Sequence, residues 1–141
     1  MREIVIDTET TGLSHQDGHR IVEIGCIELM DGLPTGEKWH CYIDPQRSMP
    51  AEAFSIHGLS VDFLSGKPLF SAVADEFLSF IGDAPLVMHN ASFDLGHLNA
   101  ELARAGLGIL DKSRAIDTLA LARQKLPGKP AGLDALCKHF G

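Results

Sequence analysis

Asp7-Thr8-Glu9 places two carboxylates at i and i+2 in a stretch of alternating apolar and polar residues. On a β-strand, successive side chains point to opposite faces, so both acids project from one face, roughly 7 Å apart along the chain. Two negative charges on an apolar strand are costly to bury without a counter-charge. A hard divalent cation such as Mg²⁺ or Mn²⁺, which takes carboxylate and water oxygens, is the natural one. The plainer alternative is a solvent-facing strand end, where acids cost nothing. The second candidate is His89-Asn90-Ala91-Ser92-Phe93-Asp94, directly after a short apolar run. Asp94 falls in the first turn of a helix, where the helix dipole favours an anion, but an ordinary N-terminal helix acid sits there too. Asp117 opens the next helical stretch and has the same ordinary reading.

The patterning around these residues predicts the elements that must hold them. Residues 3–8 alternate as a strand, with Ile4, Ile6 and Thr8 on one face and Val5, Asp7 and Glu9 on the other. A polar loop leads to an apolar strand at 20–30. The turn Asp31 to Gly36 then reverses the chain into a third strand at about 37–43. Three strands in succession with short connections make an antiparallel meander. Beyond Pro45 the period changes: a short helix opens at Pro50, and an amphipathic helix runs from Ser71 to Ile81 and stops at Gly82. A buried strand, Pro85 to Met88, follows. Asn90 is placed to cap a helix from Ala91 to Ala105, with Ala91, Leu95, Leu98, Leu102 and Ala105 as its apolar stripe. A strand at 114–116, a helix at 118–124 and a last short helix at 133–140 complete the chain. Strands first, then strands alternating with helices, implies an α/β fold with helices packed on a mixed five-stranded sheet.

Composition narrows the class. A length of 141 residues, 45% apolar and 22% charged, is that of one globular domain. No apolar run approaches the roughly 18 residues of a membrane span. The start, Met1-Arg2-Glu3-Ile4, lacks a signal peptide's apolar stretch, and three cysteines without a Cys-x-x-Cys pair make no disulfide framework. The expectation is a single domain in a reducing cytoplasm, without membrane contact. Net charge is −7, split as −10 over residues 1–100 and +3 over 101–141. Such a chain cannot grip nucleic acid by bulk electrostatics, which needs Lys and Arg to displace counterions. Bound cations or a partner delivering the substrate must supply the affinity, with Arg123, Lys125 and Lys129 as candidate contacts in the basic end. Among other residues, His40 and His139 read as solvated or packing residues. His97 and Glu101, at i and i+4 off the apolar stripe, read as a surface pair, and Cys26 as a small buried apolar residue.

In chain order, Asp-Thr-Glu-Thr-Thr-Gly (7–12), Ile-Val-Glu-Ile-Gly (21–25), Ile-His-Gly-Leu (56–59), His-Asn-Ala-Ser-Phe-Asp (89–94), Asp-Thr-Leu-Ala-Leu-Ala-Arg (117–123) and Leu-Asp-Ala-Leu-Cys (133–137) resemble the DEDDh 3′→5′ exonuclease family. Within it, the likeness is to members that proofread for replicative DNA polymerases. The resemblance spans nearly the whole chain and implies a ribonuclease H-like fold. It matches Asp7 and Glu9 to metal-binding carboxylates, Asp7 bridging two ions, and Asp94 to the carboxylate holding the second ion. Asp7, Glu9 and Thr10 are also expected at the substrate. Glu52 and His57 match positions contacting the terminal nucleotide, as do Asn90 and Phe93 beside the catalytic acid. Leu13 stands where an apolar wedge meets the terminal base. Asp117 is expected to be a supporting residue.

The chemistry implied is two-metal hydrolysis of 3′-terminal nucleotides from single-stranded or mispaired DNA, with Mg²⁺ or Mn²⁺ ions about 3.5–4 Å apart. The implied partners are the DNA 3′ terminus, the polymerase catalytic subunit and a small accessory subunit. The family's third motif, a His and the fourth Asp on a C-terminal helix, falls beyond Gly141. His57–Asp62 and His89–Asp94 have its spacing but not its place in the chain order. General-base catalysis is worth roughly 10²–10⁴-fold, so the 141 residues alone are expected to be badly impaired. Two alternatives are an RNA-directed exonuclease of the same fold and a non-catalytic module docking on a polymerase. An aspartyl-phosphate phosphatase is disfavoured, because position 9 is Glu rather than Asp.

Overall fold

The computed structural model describes residues 1–125. Strands β1 (Arg2–Thr10), β2 (Ile21–Met30) and β3 (Leu33–Tyr42) form the meander, and β4 (Leu86–Met88) and β5 (Ala115–Asp117) extend the sheet. The strand order is β3-β2-β1-β4-β5. β1 is antiparallel to β2 but parallel to β4, which is parallel to β5. The strand bearing Asp7 and Glu9 is therefore central. Helices α1 (Ala51–His57), α2 (Val61–Leu64), α3 (Phe70–Ile81), α4 (Ala91–Arg104) and α5 (Thr118–Lys125) complete the described residues. None of these helices is long and apolar enough to cross a membrane.

Cross-strand register divides the sheet into two faces. Ile6 lies opposite Cys26, and Thr8 opposite Ile24; these point into a core closed by Phe70, Phe77 and Ile81 of α3 and Leu95, Leu98 and Leu102 of α4. The other face pairs Val5 with Ile27, Asp7 with Gly25 and Glu9 with Glu23. It is less buried, and Ile27 is exposed. The period-2 alternation of β1 thus separates the core from the chemistry.

Three local details differ from the sequence expectation. The β2–β3 turn is only Asp31-Gly32, with φ of +51° and +82°, and β3 starts at Leu33. Both central residues of this two-residue hairpin need positive φ, which Asp-Gly supplies; a bulge between Ile27 and Leu29 restores the register. The short α2 is an addition, and Ser60 caps it by accepting from Phe63 N. Asn90 does sit at the N-cap of α4, but in the left-handed region (φ +67°) and with no capping bond from its side chain. The helix expected at 133–140, with Lys129 and His139, lies outside the described residues.

Candidate active site

β1 presents Asp7 and Glu9 on the open face, while Thr8 between them points inward and is buried. Thr8 Oγ1 donates to Asp94 Oδ1 at 2.5 Å. Asp94, in the first turn of α4, is only 3% exposed. The strand and helix are 86 residues apart in sequence at this bond. Burial raises the pKa of Asp94 to about 7; the Thr8 hydroxyl opposes that shift, and Asp7, Glu9 and Asp117 reinforce it. Asp7 is also raised by burial, against the Thr8 backbone N–H and with help from Glu23. Glu9 is raised by burial and by Asp7, with a further contribution from Glu23.

Glu23 belongs to this cluster, and no role was inferred for it from the sequence. It lies directly opposite Glu9 on the same face of β2. The signal was present in Ile-Val-Glu-Ile-Gly, but locating the carboxylate required the hairpin register. His40 Nε2 meets Glu23 Oε2 at 2.5 Å. No Lys or Arg salt bridge neutralises Asp7, Glu9 or Asp94 among the described residues. Clustered carboxylates with raised pKa and no cationic partner are a site short of positive charge, and the oxygen donors suit a hard divalent cation. Among the described residues no three His, Cys, Asp or Glu side chains are grouped so as to hold a metal ion by themselves. That fits Mg²⁺, which is usually held by one or two carboxylates, with water and substrate phosphate completing its shell.

Two grooves flank the strand. One, of about 700 Å³, is lined by Glu9, Thr10, Leu13, Glu52, His57 and Phe93, among others. It brings together most of the residues the sequence suggested for a terminal nucleotide. Leu13 is 84% exposed at its rim, and Glu52 is exposed on α1. His57 is held from both sides: Leu59 N donates to Nδ1, and Nε2 is 3.0 Å from the Thr10 carbonyl. Accepting at Nδ1 leaves Nε2 to donate, which fixes the tautomer. Thr10 Oγ1 donates to the Gly12 carbonyl. The second groove runs from Asp7 over Gly25 to Lys38 and His40; with no side chain at Gly25, the sheet floor is open there.

Asn90 and Asp117 stand apart from the groove lining. Asp117 Oδ1 accepts from the backbone N–H groups of Asn90, Leu119 and Ala120, tying the turn before α4 to the start of α5. Burial works against its charge, but N–H donors from Ala91, Asn90, Ala120 and Leu119 outweigh it and lower its pKa. His89 Nδ1 pairs with Thr118 Oγ1, while its enclosed Nε2 has no partner among the described residues. Arg123 and Lys125 fall in the last turn of α5.

The reading of His97 and Glu101 as a surface pair is corrected. They are 1% and 2% exposed. Glu101 accepts from Arg20 Nε and Nη2 and from Ile21 N, and His97 Nε2 lies 3.1 Å from the Leu13 carbonyl. The loop between β1 and β2 folds over this side of α4, which the helix's own apolar stripe does not reveal.

Known proteins resemble this chain in sequence and in fold. Residues 4–141 match the family described as Exonuclease. The chain is 54% identical over 143 residues to DNA polymerase III subunit epsilon of Rickettsia felis, covering 99% of this chain and 62% of that one. It is 43% identical over 146 residues to the Escherichia coli K12 subunit of the same name, covering 99% and 60%. It thus spans about six-tenths of the length of these relatives. Among solved structures, exonuclease X in complex with 5′ overhanging duplex DNA has a TM-score of 0.73 at 29% identity, covering 98% of this chain and 72% of that one. Exonuclease I in complex with the inhibitor BCBP reaches 0.82 at 20% identity over 97% and 36%, a likeness of fold.

Proposed function

The chain belongs to the exonuclease family, and we propose that it is the nuclease part of a divalent-metal-dependent 3′→5′ exonuclease that removes nucleotides from single-stranded or mispaired DNA ends during replication. The observation carrying this reading is the electrostatic coupling of the buried Asp94 to Asp7 and Glu9, with no Lys or Arg bridging to them among the described residues, beside a groove that Glu9 lines together with Leu13, His57 and Phe93. Asp7, Glu9 and Asp94 would hold two ions, Mg²⁺ or Mn²⁺, which supply a polarised water and positive charge against the scissile phosphate.

The protein residues divide the remaining work. Thr8 holds one oxygen of Asp94, so that carboxylate keeps a fixed orientation. Phe93 and Leu13 offer a face and an edge to a base that has left its stack, and base–aromatic stacking is worth roughly 1–3 kcal/mol. His57, fixed in one tautomer, and Glu52 stand on the α1 side of the same groove, where they would contact the terminal nucleotide. A terminal base must unstack before its phosphate reaches a recessed centre, which favours single-stranded or frayed ends. The relatives' name supports a polymerase context; within it we propose a polymerase catalytic subunit and a small accessory subunit as partners.

The test is incubation of the full-length protein with Mg²⁺ or Mn²⁺ and 3′-labelled DNA and RNA oligonucleotides. Release of 5′-mononucleotides from the DNA 3′ end, faster when the end is mispaired and abolished by EDTA, is the expected result. Cleavage of RNA alone would move the substrate to RNA, and metal binding without cleavage of either would favour a docking module.

A further inference from the structure

We propose that His97 is a positioning residue for the terminal nucleotide: its imidazole fixes both walls of the groove, Leu13 through the backbone and Phe93 through the ring. This rests on the reading of that groove as the nucleotide site.

The β1–β2 loop, residues 11–20, is fastened at its base without His97. Thr11 N donates to the Arg20 carbonyl at 2.9 Å, and Arg20 N to Thr11 Oγ1 at 3.0 Å. Glu101 then clamps Arg20 by two donors and caps Ile21 N. The part of the loop that matters to the groove lies beyond this base, and Leu13 there projects into solvent at 84% exposure. A side chain so exposed gets little positional restraint from packing, so its backbone must be held. His97 Nε2, 3.1 Å from the Leu13 carbonyl, holds it.

The same ring supports the opposite wall. Phe93, one turn earlier on α4, packs against His97 with centroids 4.8 Å apart. His15 closes over His97 from the loop side, edge to face at 5.7 Å. The ring of His15 also approaches Gly96 closely, and a Cβ there would meet it at 3.0 Å, a tight contact that the absence of a side chain avoids. Phe93 and Leu13 line one groove and both contact one buried imidazole. Asp94 directly follows Phe93 on this helix, so α4 carries the candidate metal-binding carboxylate, the Phe93 wall and the imidazole that holds the Leu13 wall.

The experiment uses the full-length protein and a single-stranded DNA oligonucleotide. His97→Phe keeps the ring packing and removes the donor; it is expected to raise KM about tenfold while kcat stays within about twofold, the scale of one lost buried hydrogen bond. His97→Gln, whose amide nitrogen can occupy the Nε2 position, is expected to restore KM, and the shorter His97→Asn is not. Because the effect runs through Leu13, Leu13→Ala combined with His97→Phe should raise KM little beyond Leu13→Ala alone. Mn²⁺ affinity by calorimetry should be unchanged in all of them. If His97→Phe does not fold, the contrast between the Gln and Asn variants carries the test. An active wild type whose KM ignores these variants, or fully independent effects in the double variant, overturns the inference alone. A wild type that neither binds nor cuts the oligonucleotide overturns the nuclease reading and this inference with it.

Discussion

Thr8 and Asp94 are joined by a buried hydrogen bond of 2.5 Å, hydroxyl to carboxylate. Thr8 is the residue between the two acids on the open face of β1, and it points the opposite way. The strand therefore uses its outward face for two carboxylates and its inward face to hold the third. Replacing Thr8 with Val keeps the shape and leaves Asp94 without its hydroxyl partner. Loss of a hydrogen bond to a charged group costs about 1.5–3 kcal/mol, so Mn²⁺ affinity by calorimetry should fall roughly tenfold or more, and Thr8→Ser should recover most of it.

Asp94 also sets a pH dependence whose sign is fixed by its burial. Its folded pKa, near 7, lies above the ordinary carboxylate value of 3.8. The neutral form is the one the fold prefers, so this contribution to stability is complete in acid and is lost as pH rises through 7. In EDTA, the Tm should decline between pH 5 and 8. Asp94→Asn should flatten that decline and exceed wild type at pH 8 by about 3–10 °C. Added Mg²⁺ should stabilise wild type at pH 8 and leave Asp94→Asn nearly unaffected.

Asp7→Asn and Glu9→Gln remove the acids on the open face without opening a cavity. Each should cut nucleotide release by on the order of 10³-fold, since the charge stabilisation at stake is several kcal/mol. Both also relieve repulsion within a cluster lacking a counter-charge. Their metal-free Tm should accordingly equal or exceed that of wild type, separating a chemical defect from misfolding.

Asp117→Ala is expected to act through the backbone. Its Oδ1 gathers three N–H groups from two segments. Losing such a cap costs roughly 0.5–2 kcal/mol, which should appear as a lower Tm and as faster amide exchange at Asn90 and Leu119. Metal affinity should change much less than in Thr8→Val, and Asp117→Asn should retain most of the stability.

Much of the fold was legible from local rules. Alternation in β1 divides inward residues from outward ones, because a strand has only two faces. The apolar period of α3 and α4 marks their buried stripes, and Gly82 ends α3 where the pattern stops. The turn at Asp31-Gly32 was visible as a turn but too long by four residues, since a two-residue hairpin is a matter of backbone handedness. Asp7 and Glu9 sharing a face followed from the strand period alone.

What the sequence by itself determined is therefore what repeats or adjoins along the chain: strand faces, helix stripes, the order of the acidic motifs. Tertiary structure alone decided which distant groups meet. Glu23 entered the acidic cluster through hairpin register, and Glu101 was buried by Arg20 from 81 residues away. His97 lies off the apolar stripe and is covered by a loop with no periodicity to betray its path. A polar side chain is buried only if a partner arrives to satisfy it, and no local pattern records where a partner eighty residues distant will come to rest.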